Sequence, residues 1–245
     1  MKLFGLIGYP LTHSFSAQYF TEKFEKEGLE DCVFNAFPLN NINEFPDLLK
    51  NNQTLKGLSV TIPYKEQVLQ FVANQSEEVK KIGATNSIKI SGTTLTAFNT
   101  DMTGFEKSFV THLKPHHKKA LVLGTGGASK AVQFVLQKLN INFLIVTRNS
   151  NLKMDFINYS MISESIMDEY NIVINCTPAG MWPLIDDCPD IPYDLINSNH
   201  YFFDLIYKPA KTLFLEKAEL YGATIQNGYD MLIIQAEESW KIWNS

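Results

Sequence analysis

The chain has 245 residues, 45% of them hydrophobic and 19% charged, with a formal net charge of −5. That length favours two modest domains, and the composition supplies enough apolar side chains for real cores, which excludes a disordered chain. Lysines and arginines are scattered rather than striped, which argues against a nucleic-acid partner, and no window nears the roughly 20 apolar residues that cross a bilayer.

The opening run LFGLIG reads as a strand, because the polar Thr12-His13-Ser14 that follows interrupts any secretory leader. Residues 16–28 carry Tyr19, Phe20 and Phe24 at helical spacing and end at a glycine. A strand over 32–38, a helix over 42–52 and a strand LKGLSVTIP stopped by Pro63 come next, and a helix is predicted from Lys65 to about Ala73. TNSIKI and TLTAFNTD alternate apolar and polar residues around Ser91-Gly92, which predicts a hairpin or turn. After a connecting helix over 102–114, ALVLGTGGASKAVQFVLQKL reads as a buried strand, a glycine turn and a helix. NFLIVTRN, NIVINCTP and YFFDLIY are further strands of the kind parallel sheets bury on both faces. Residues 229–243 form a helix with Leu232, Ile233, Ala236 and Trp240 on one stripe. The expected fold is α/β. An N-terminal α/β substrate domain (1–101 plus 229–245) joins a doubly wound Rossmann-type dinucleotide-binding domain (102–228), with the active site in the cleft between them. Cys32, Cys176 and Cys188 are odd in number and lack metal spacing, so neither a disulfide scaffold nor a metal site is expected, and a reducing cytoplasm fits.

Gly124, Gly126 and Gly127 stand between a strand and a helix, the context in which glycine lets a pyrophosphate approach the free N–H groups of a helix start. Ser129 takes the place of the small residue that packs helix on strand. At the end of the next strand stand Thr147, Arg148 and Asn149, where an NAD enzyme would place an acidic residue. A guanidinium there suits a ribose 2′-phosphate, so NADP is the expected cofactor.

Four polar islands in the first half exceed what folding needs. Ser14 and Ser16 could aim two hydroxyls at one anion, and Ser16 could equally cap the helix that follows. Thr61 ends a strand, and Lys65 lies near an expected helix start, where a cation is electrostatically misplaced. Asn86 and Asp101 each admit a plain turn or cap role.

Taken together, GYPLTHSFS, SVTIPYK, GATN, NTD, GTGGAS, NCTPAGM, FDLIYKPAKT and GYDMLIIQA resemble the shikimate dehydrogenase family in order and spacing over nearly the whole chain. That resemblance implies an NADP-dependent enzyme interconverting 3-dehydroshikimate and shikimate. It implies that Ser14 and Ser16, helped by Tyr207, bind the substrate carboxylate. Thr61, Lys65, Asn86, Asp101 and Gln235 would surround the ring hydroxyls, with Lys65 and Asp101 as the catalytic pair. On the cofactor side it implies contacts from the turn Gly124, Thr125, Gly126, Gly127, Ala128 and Ser129, from Thr147, Arg148 and Asn149, and from Thr177, Gly180, Met181, Leu205 and Gly228, with Glu77 a weaker candidate. A small-molecule substrate, no nucleic acid, no membrane and a monomer or homodimer complete the expectation. The chain departs from the family pattern in having Ala17 for a usual proline, Ser59 for a common asparagine, no second arginine after Arg148 although Lys153 is near, and a shorter length. An NAD-using quinate or shikimate dehydrogenase and a non-catalytic dinucleotide-binding regulator are the alternatives.

Overall fold

The computed structural model describes residues 1–11, 15–148 and 155–245, which divide into two units, Met1–Thr100 with Ala236–Ser245, and Asp101–Gln235. In the first unit the chain runs β1 (Lys2–Gly8), α1 (Phe15–Glu27) and β2 (Cys32–Pro38), then a 3-10 turn leading into α2 (Phe45–Asn51) and β3 (Leu55–Val60). A 3-10 segment (Gln67–Phe71), β4 (Asn74–Gln75), α3 (Glu77–Ile82), β5 (Ser87–Ser91) and β6 (Thr94–Phe98) follow. The sheet order is β2-β1-β3-β5-β6-β4. β1 is parallel to β2 and β3, while β5 runs antiparallel to both β3 and β6. The expected hairpin is present, and Gly92 at φ +62° makes its turn.

Strand alternation gives this sheet two apolar faces. On one, Ile7, Leu58, Val60 and Ile88 pack with Phe45, Val68 and Val79. On the other, Phe4 and Leu6 pack with Phe20, Phe24, Phe34 and Trp243. The second core is largely aromatic: the Phe20 and Phe34 rings stack with centroids 4.7 Å apart, and Phe4 meets Trp240 edge-on at 5.1 Å. Trp243 lies directly on Gly57 of β3, where any Cβ would collide with its ring.

The second unit contains α4 (Asp101–Phe109), β7 (Lys119–Leu123), α5 (Gly127–Lys138), β8 (Asn142–Thr147), β9 (Phe156–Asn158) and α6 (Glu164–Glu169). After them come β10 (Ile172–Asn175), β11 (Tyr201–Asp204), α7 (Leu213–Leu220), β12 (Thr224–Gln226) and α8 (Tyr229–Asn244), whose residues from Ala236 belong with the first unit. The strands are all parallel in the order β12-β11-β10-β7-β8-β9. The chain fills one half of the sheet outward from β7 and then the other, which is the doubly wound arrangement. Successive residues of each strand supply opposite cores. Leu121, Leu123, Val173 and Phe202 pack with Phe214 and Leu215, whereas Ala120, Val122, Ile172, Tyr201 and Phe203 pack with Phe105, Phe109 and Val132. Among the described residues no helix is long and apolar enough to cross a membrane.

Two expectations are corrected. The helix predicted from Lys65 is instead a turn over residues 62–66 followed by the 3-10 segment. The physical reason lies in the backbone: the Lys65 carbonyl accepts the Thr85 N–H at 2.8 Å, and the Leu69 N–H turns to Glu66 at 3.2 Å, so the i to i+4 ladder is broken. Lys65 is therefore not a cation at a helix start. Ser16 is also not a cap, because α1 already includes Phe15.

Replacing Gly57 by Ala is expected to lower stability by about 1–3 kcal/mol through overpacking against Trp243. Urea unfolding followed by tryptophan fluorescence measures this, and an unchanged midpoint would contradict the packing described.

Candidate active site

In the first unit the polar residues gather where β3 ends and β5 begins. Thr61 leaves β3 with its N–H on the Ile7 carbonyl at 2.9 Å. The following turn is pinned by Tyr64, which is buried; its N–H donates to the Thr61 carbonyl, and its hydroxyl donates to the Leu39 carbonyl at 2.5 Å. Lys65, half-buried, comes next on this turn and is tied by its carbonyl to Thr85. The adjacent Asn86 accepts the Val60 N–H on its own carbonyl at 2.8 Å. Sheet order thus brings Thr61, Lys65 and Asn86 to one end of the same sheet, through β3 and β5.

Asn86 is 3% exposed, and Thr100 clamps both ends of its amide. Its Nδ2 donates to Thr100 Oγ1 at 2.9 Å and its Oδ1 accepts the Thr100 N–H at 2.6 Å. Thr100 Oγ1 also bonds Ser239 of α8 at 2.9 Å, and Asn99 donates to the Ala84 carbonyl at 2.9 Å. Asp101, the next residue, opens α4 and is buried, with 7% of its surface exposed. The β1–α1 connection sets out from the same end, since Gly8 abuts the Thr61 side chain and the Tyr9 N–H reaches the Ile62 carbonyl at 3.0 Å. Ser16 lies half-buried in the first turn of α1, and Ser14 falls outside the described residues. Ser59 and Ser87 sit opposite each other in register, and among the described residues the buried Ser87 hydroxyl has no hydrogen-bond partner.

In the second unit the candidate residues converge on the carboxyl edge of the parallel sheet. Gly124 takes φ +101°, and a Cβ there would meet Thr177 Cγ2 at 3.1 Å and the Cys176 carbonyl at 3.3 Å, so the glycine turn and the loop after β10 touch. Thr125 and Gly126 are exposed, α5 begins with Gly127 and Ala128 without a side-chain cap, and the space beside Gly126 is open. A helix start in that condition presents N–H groups and positive dipole to an anion, which fits a dinucleotide phosphate. Ser129 is fully buried; its hydroxyl donates to the Gly124 carbonyl at 2.7 Å and accepts from Gln133 at 3.0 Å, so it holds the turn's shape. Thr147 ends β8, Arg148 beyond it is exposed, and Asn149 lies outside the described residues. Burial raises the nearby Tyr159 phenol, and the Arg148 charge partly offsets that rise.

Thr177 is oriented by Asn175, whose Oδ1 accepts both the Thr177 N–H at 3.0 Å and its hydroxyl at 2.7 Å. Asn175 in turn donates to Asp204 on the neighbouring strand at 3.1 Å. Met181 is exposed on the same loop, past Gly180 at φ +99°. Gly228 lies against Leu205 so closely that a Cβ would strike its carbonyl, and the Gly228 N–H donates to the Ile206 carbonyl at 3.1 Å. Tyr207 is half-buried, which raises its phenol, and Gln235 is 9% exposed with its amide on the Leu232 carbonyl. Glu77 is exposed at the start of α3 in the first unit and paired with Lys80 at 2.7 Å, which lowers its carboxyl. Sequence reasoning passed over Asn175, Asp204 and Thr212, although a polar residue closing each of two buried apolar runs was the available signal. Among the described residues no group of three His, Cys, Asp or Glu is placed to hold a metal ion.

Residues 6–88 match the family model described as the shikimate dehydrogenase substrate binding domain. A shikimate dehydrogenase (NADP(+)) of Caldicellulosiruptor saccharolyticus is 34% identical over 260 residues, covering 99% of this chain and 92% of that protein. Among solved structures, shikimate 5-dehydrogenase from Thermus thermophilus in complex with NADP(H) and shikimate aligns with a TM-score of 0.86 at 28% identity, over 99% of this chain and 93% of that one. The Listeria monocytogenes enzyme in complex with shikimate and NAD aligns with a TM-score of 0.86 at 26% identity, over 100% and 92%.

Thr100→Val removes the buried hydroxyl that links the Asn86 amide nitrogen to Ser239 while keeping the backbone N–H on Asn86 Oδ1, and we expect a loss of about 1–3 kcal/mol in urea unfolding. A change below roughly 0.5 kcal/mol, the size of a neutral surface substitution, would contradict the clamp.

Proposed function

This chain belongs to the shikimate dehydrogenase family, and on that premise we propose that it catalyses the reversible NADPH-dependent reduction of 3-dehydroshikimate to shikimate, a step of aromatic amino-acid biosynthesis. The supporting observation is the gathering of Thr61, Lys65 and Asn86 at one sheet end, in a chain related to these enzymes over nearly its whole length.

When bound, NADPH supplies a hydride to the substrate ketone. The oxygen then gains negative charge and needs a proton, which the Lys65 ammonium donates; in the reverse direction neutral Lys65 takes the proton from the alcohol. Asp101, the second member of the pair, orients the Lys65 ammonium and favours its charged form, so that the proton is available where the oxygen gains charge. The backbone that carries Lys65 is held by its carbonyl to Thr85 and by the buried Tyr64 anchor before it, which fixes the point from which its side chain extends. Asn86, fixed by Thr100, and Thr61 and Gln235 bind ring hydroxyls, while Ser14, Ser16 and Tyr207 bind the carboxylate. The uncapped start of α5 receives the pyrophosphate, with Thr125, Gly126, Gly127 and Ala128 lining it. Thr147, Arg148 and Asn149 take the adenosine 2′-phosphate, Thr177 and Met181 face the nicotinamide half, and Leu205 and Gly228 are further cofactor contacts. The three cysteines are free thiols, in keeping with a cytoplasmic setting, and we propose a monomer or homodimer.

Lys65→Ala is expected to lower kcat for shikimate oxidation by about 10²–10⁴-fold with little change in shikimate affinity, the usual worth of a positioned general acid. Steady-state assays with shikimate and NADP test this, and normal turnover would remove Lys65 from the catalytic role. Arg148→Ala is expected to reduce kcat/KM for NADP by about 10–100-fold while leaving that for NAD nearly unchanged, since only the former has a phosphate for the guanidinium. Equal losses for both cofactors would place the 2′-phosphate elsewhere.

A further inference from the structure

Asp204 is the last residue of β11, has no exposed surface, and stands directly beside Asn175, the last residue of β10. A carboxylate buried at the end of an apolar strand is costly, and an uncharged side chain of similar size would serve folding better. Burial drives its carboxyl up to about 7, opposed by hydrogen bonds from Thr212, Ile206 and Asn175. What the site gains is an acceptor that reaches three separate segments. Oδ1 accepts from Asn175 Nδ2 at 3.1 Å and from the Ile206 N–H at 3.0 Å, and Oδ2 accepts from the Thr212 hydroxyl at 2.6 Å.

Each of those ties leads towards a residue assigned above to the cofactor. Through Asn175 the carboxylate fixes the amide orientation whose oxygen holds the N–H and hydroxyl of Thr177. The same amide donates to the Ala179 carbonyl at 3.3 Å, two residues before Met181. Through Ile206 it fixes the backbone that carries Leu205 and receives the Gly228 N–H at 3.1 Å. Through Thr212, which caps α7, it reaches the wall that Gly180 packs against, since a Cβ on Gly180 would meet the Thr212 side chain at 3.2 Å. Among the described residues, the uncapped start of α5 and the exposed Arg148 are not part of this hydrogen-bonded set.

We propose that Asp204 is a positioning residue, one buried acceptor that sets the loops after β10 and β11 in the arrangement that receives the nicotinamide half of the dinucleotide, leaving the adenosine half to the α5 turn and Arg148. This rests on the cofactor assignment made above. It differs from a purely structural role in predicting a split within one ligand: contacts to the nicotinamide half depend on Asp204, and contacts to the adenosine half do not.

The test uses the full chain and two probes, NADP+ and adenosine 2′,5′-bisphosphate, titrated by calorimetry against the wild type and the variants D204A, D204N and N175A. D204A is expected to weaken NADP+ by about tenfold or more, the scale of a displaced binding group, and to hold the bisphosphate within about twofold. D204N keeps an acceptor oxygen for Asn175 and Ile206 and is expected to recover most of the NADP+ affinity lost in D204A. Should D204A not fold, N175A carries the test, because the route to Thr177 runs through that amide and the same selective loss is expected. Equal weakening of both probes, or no weakening of either in D204A or N175A, overturns the inference. Wild-type binding of both probes without any oxidation of shikimate would instead overturn the functional reading, while the binding split would still decide the role of Asp204.

Discussion

The requirement that no backbone N–H or C=O be buried without a partner organises both candidate sites. Strands of the first sheet end at Gly8 and Val60, and the groups left over at those ends are taken up by neighbours from distant parts of the chain: Ile62 serves Tyr9, Asn86 serves Val60, and Thr85 serves Lys65. Two of these bonds have a second effect, because Asn86 and Lys65 are among the residues proposed above to meet the substrate. Satisfying the backbone and placing Lys65 near Asn86 are therefore the same event. In the second unit side chains take this part, with Asn175 and Asp204 closing the loops that the parallel strands leave open.

Polar groups inside this protein come mostly in closed sets rather than singly. Thr100 satisfies both ends of the Asn86 amide and engages Ser239 as well. Ser129 binds Gly124 and is itself bound by Gln133. Such sets raise the energetic penalty for a wrong arrangement and so confer a single geometry on the residues they surround. Ser87 is the contrast. Its hydroxyl is buried and unpartnered among the described residues, opposite Ser59, where the family pattern commonly has the longer asparagine.

Much of this was legible in the chain itself, and the failures have identifiable physical causes. Strands such as β7, β10 and β11 are buried on both faces, so a bare apolar run sufficed to find them. The glycine turn before α5 declared itself because its conformation needs glycine at position 124. The helix expected at Lys65 failed because its ladder competes with Thr85, a partner that local periodicity does not contain. Short elements such as β9, β12 and α6 have too few residues for any period to show. The polar islands around Thr61, Lys65 and Asn86 were visible one by one, whereas their convergence needed the β3–β5 pairing. Asp204 looked like the end of one strand until the register with β10 set it beside Asn175.

The aromatic core of the first unit has a consequence for the order in which the protein is made. Phe4, Phe20 and Phe24 come off the ribosome before the second unit, but Trp240 and Trp243, which complete their packing, come after it, and the clasp between Tyr19 and Glu237 spans 218 residues. The nascent N-terminal sheet thus waits, with one apolar face covered only in part by α1, through the synthesis of the whole second unit, which contains its own strands and cores and does not depend on the helical turns from Ala236 onward to fill them. Synthesis proceeds from N- to C-terminus, while burial in the first unit is completed by the segment from Ala236 onward, so this half of the protein closes only after translation has passed through the other.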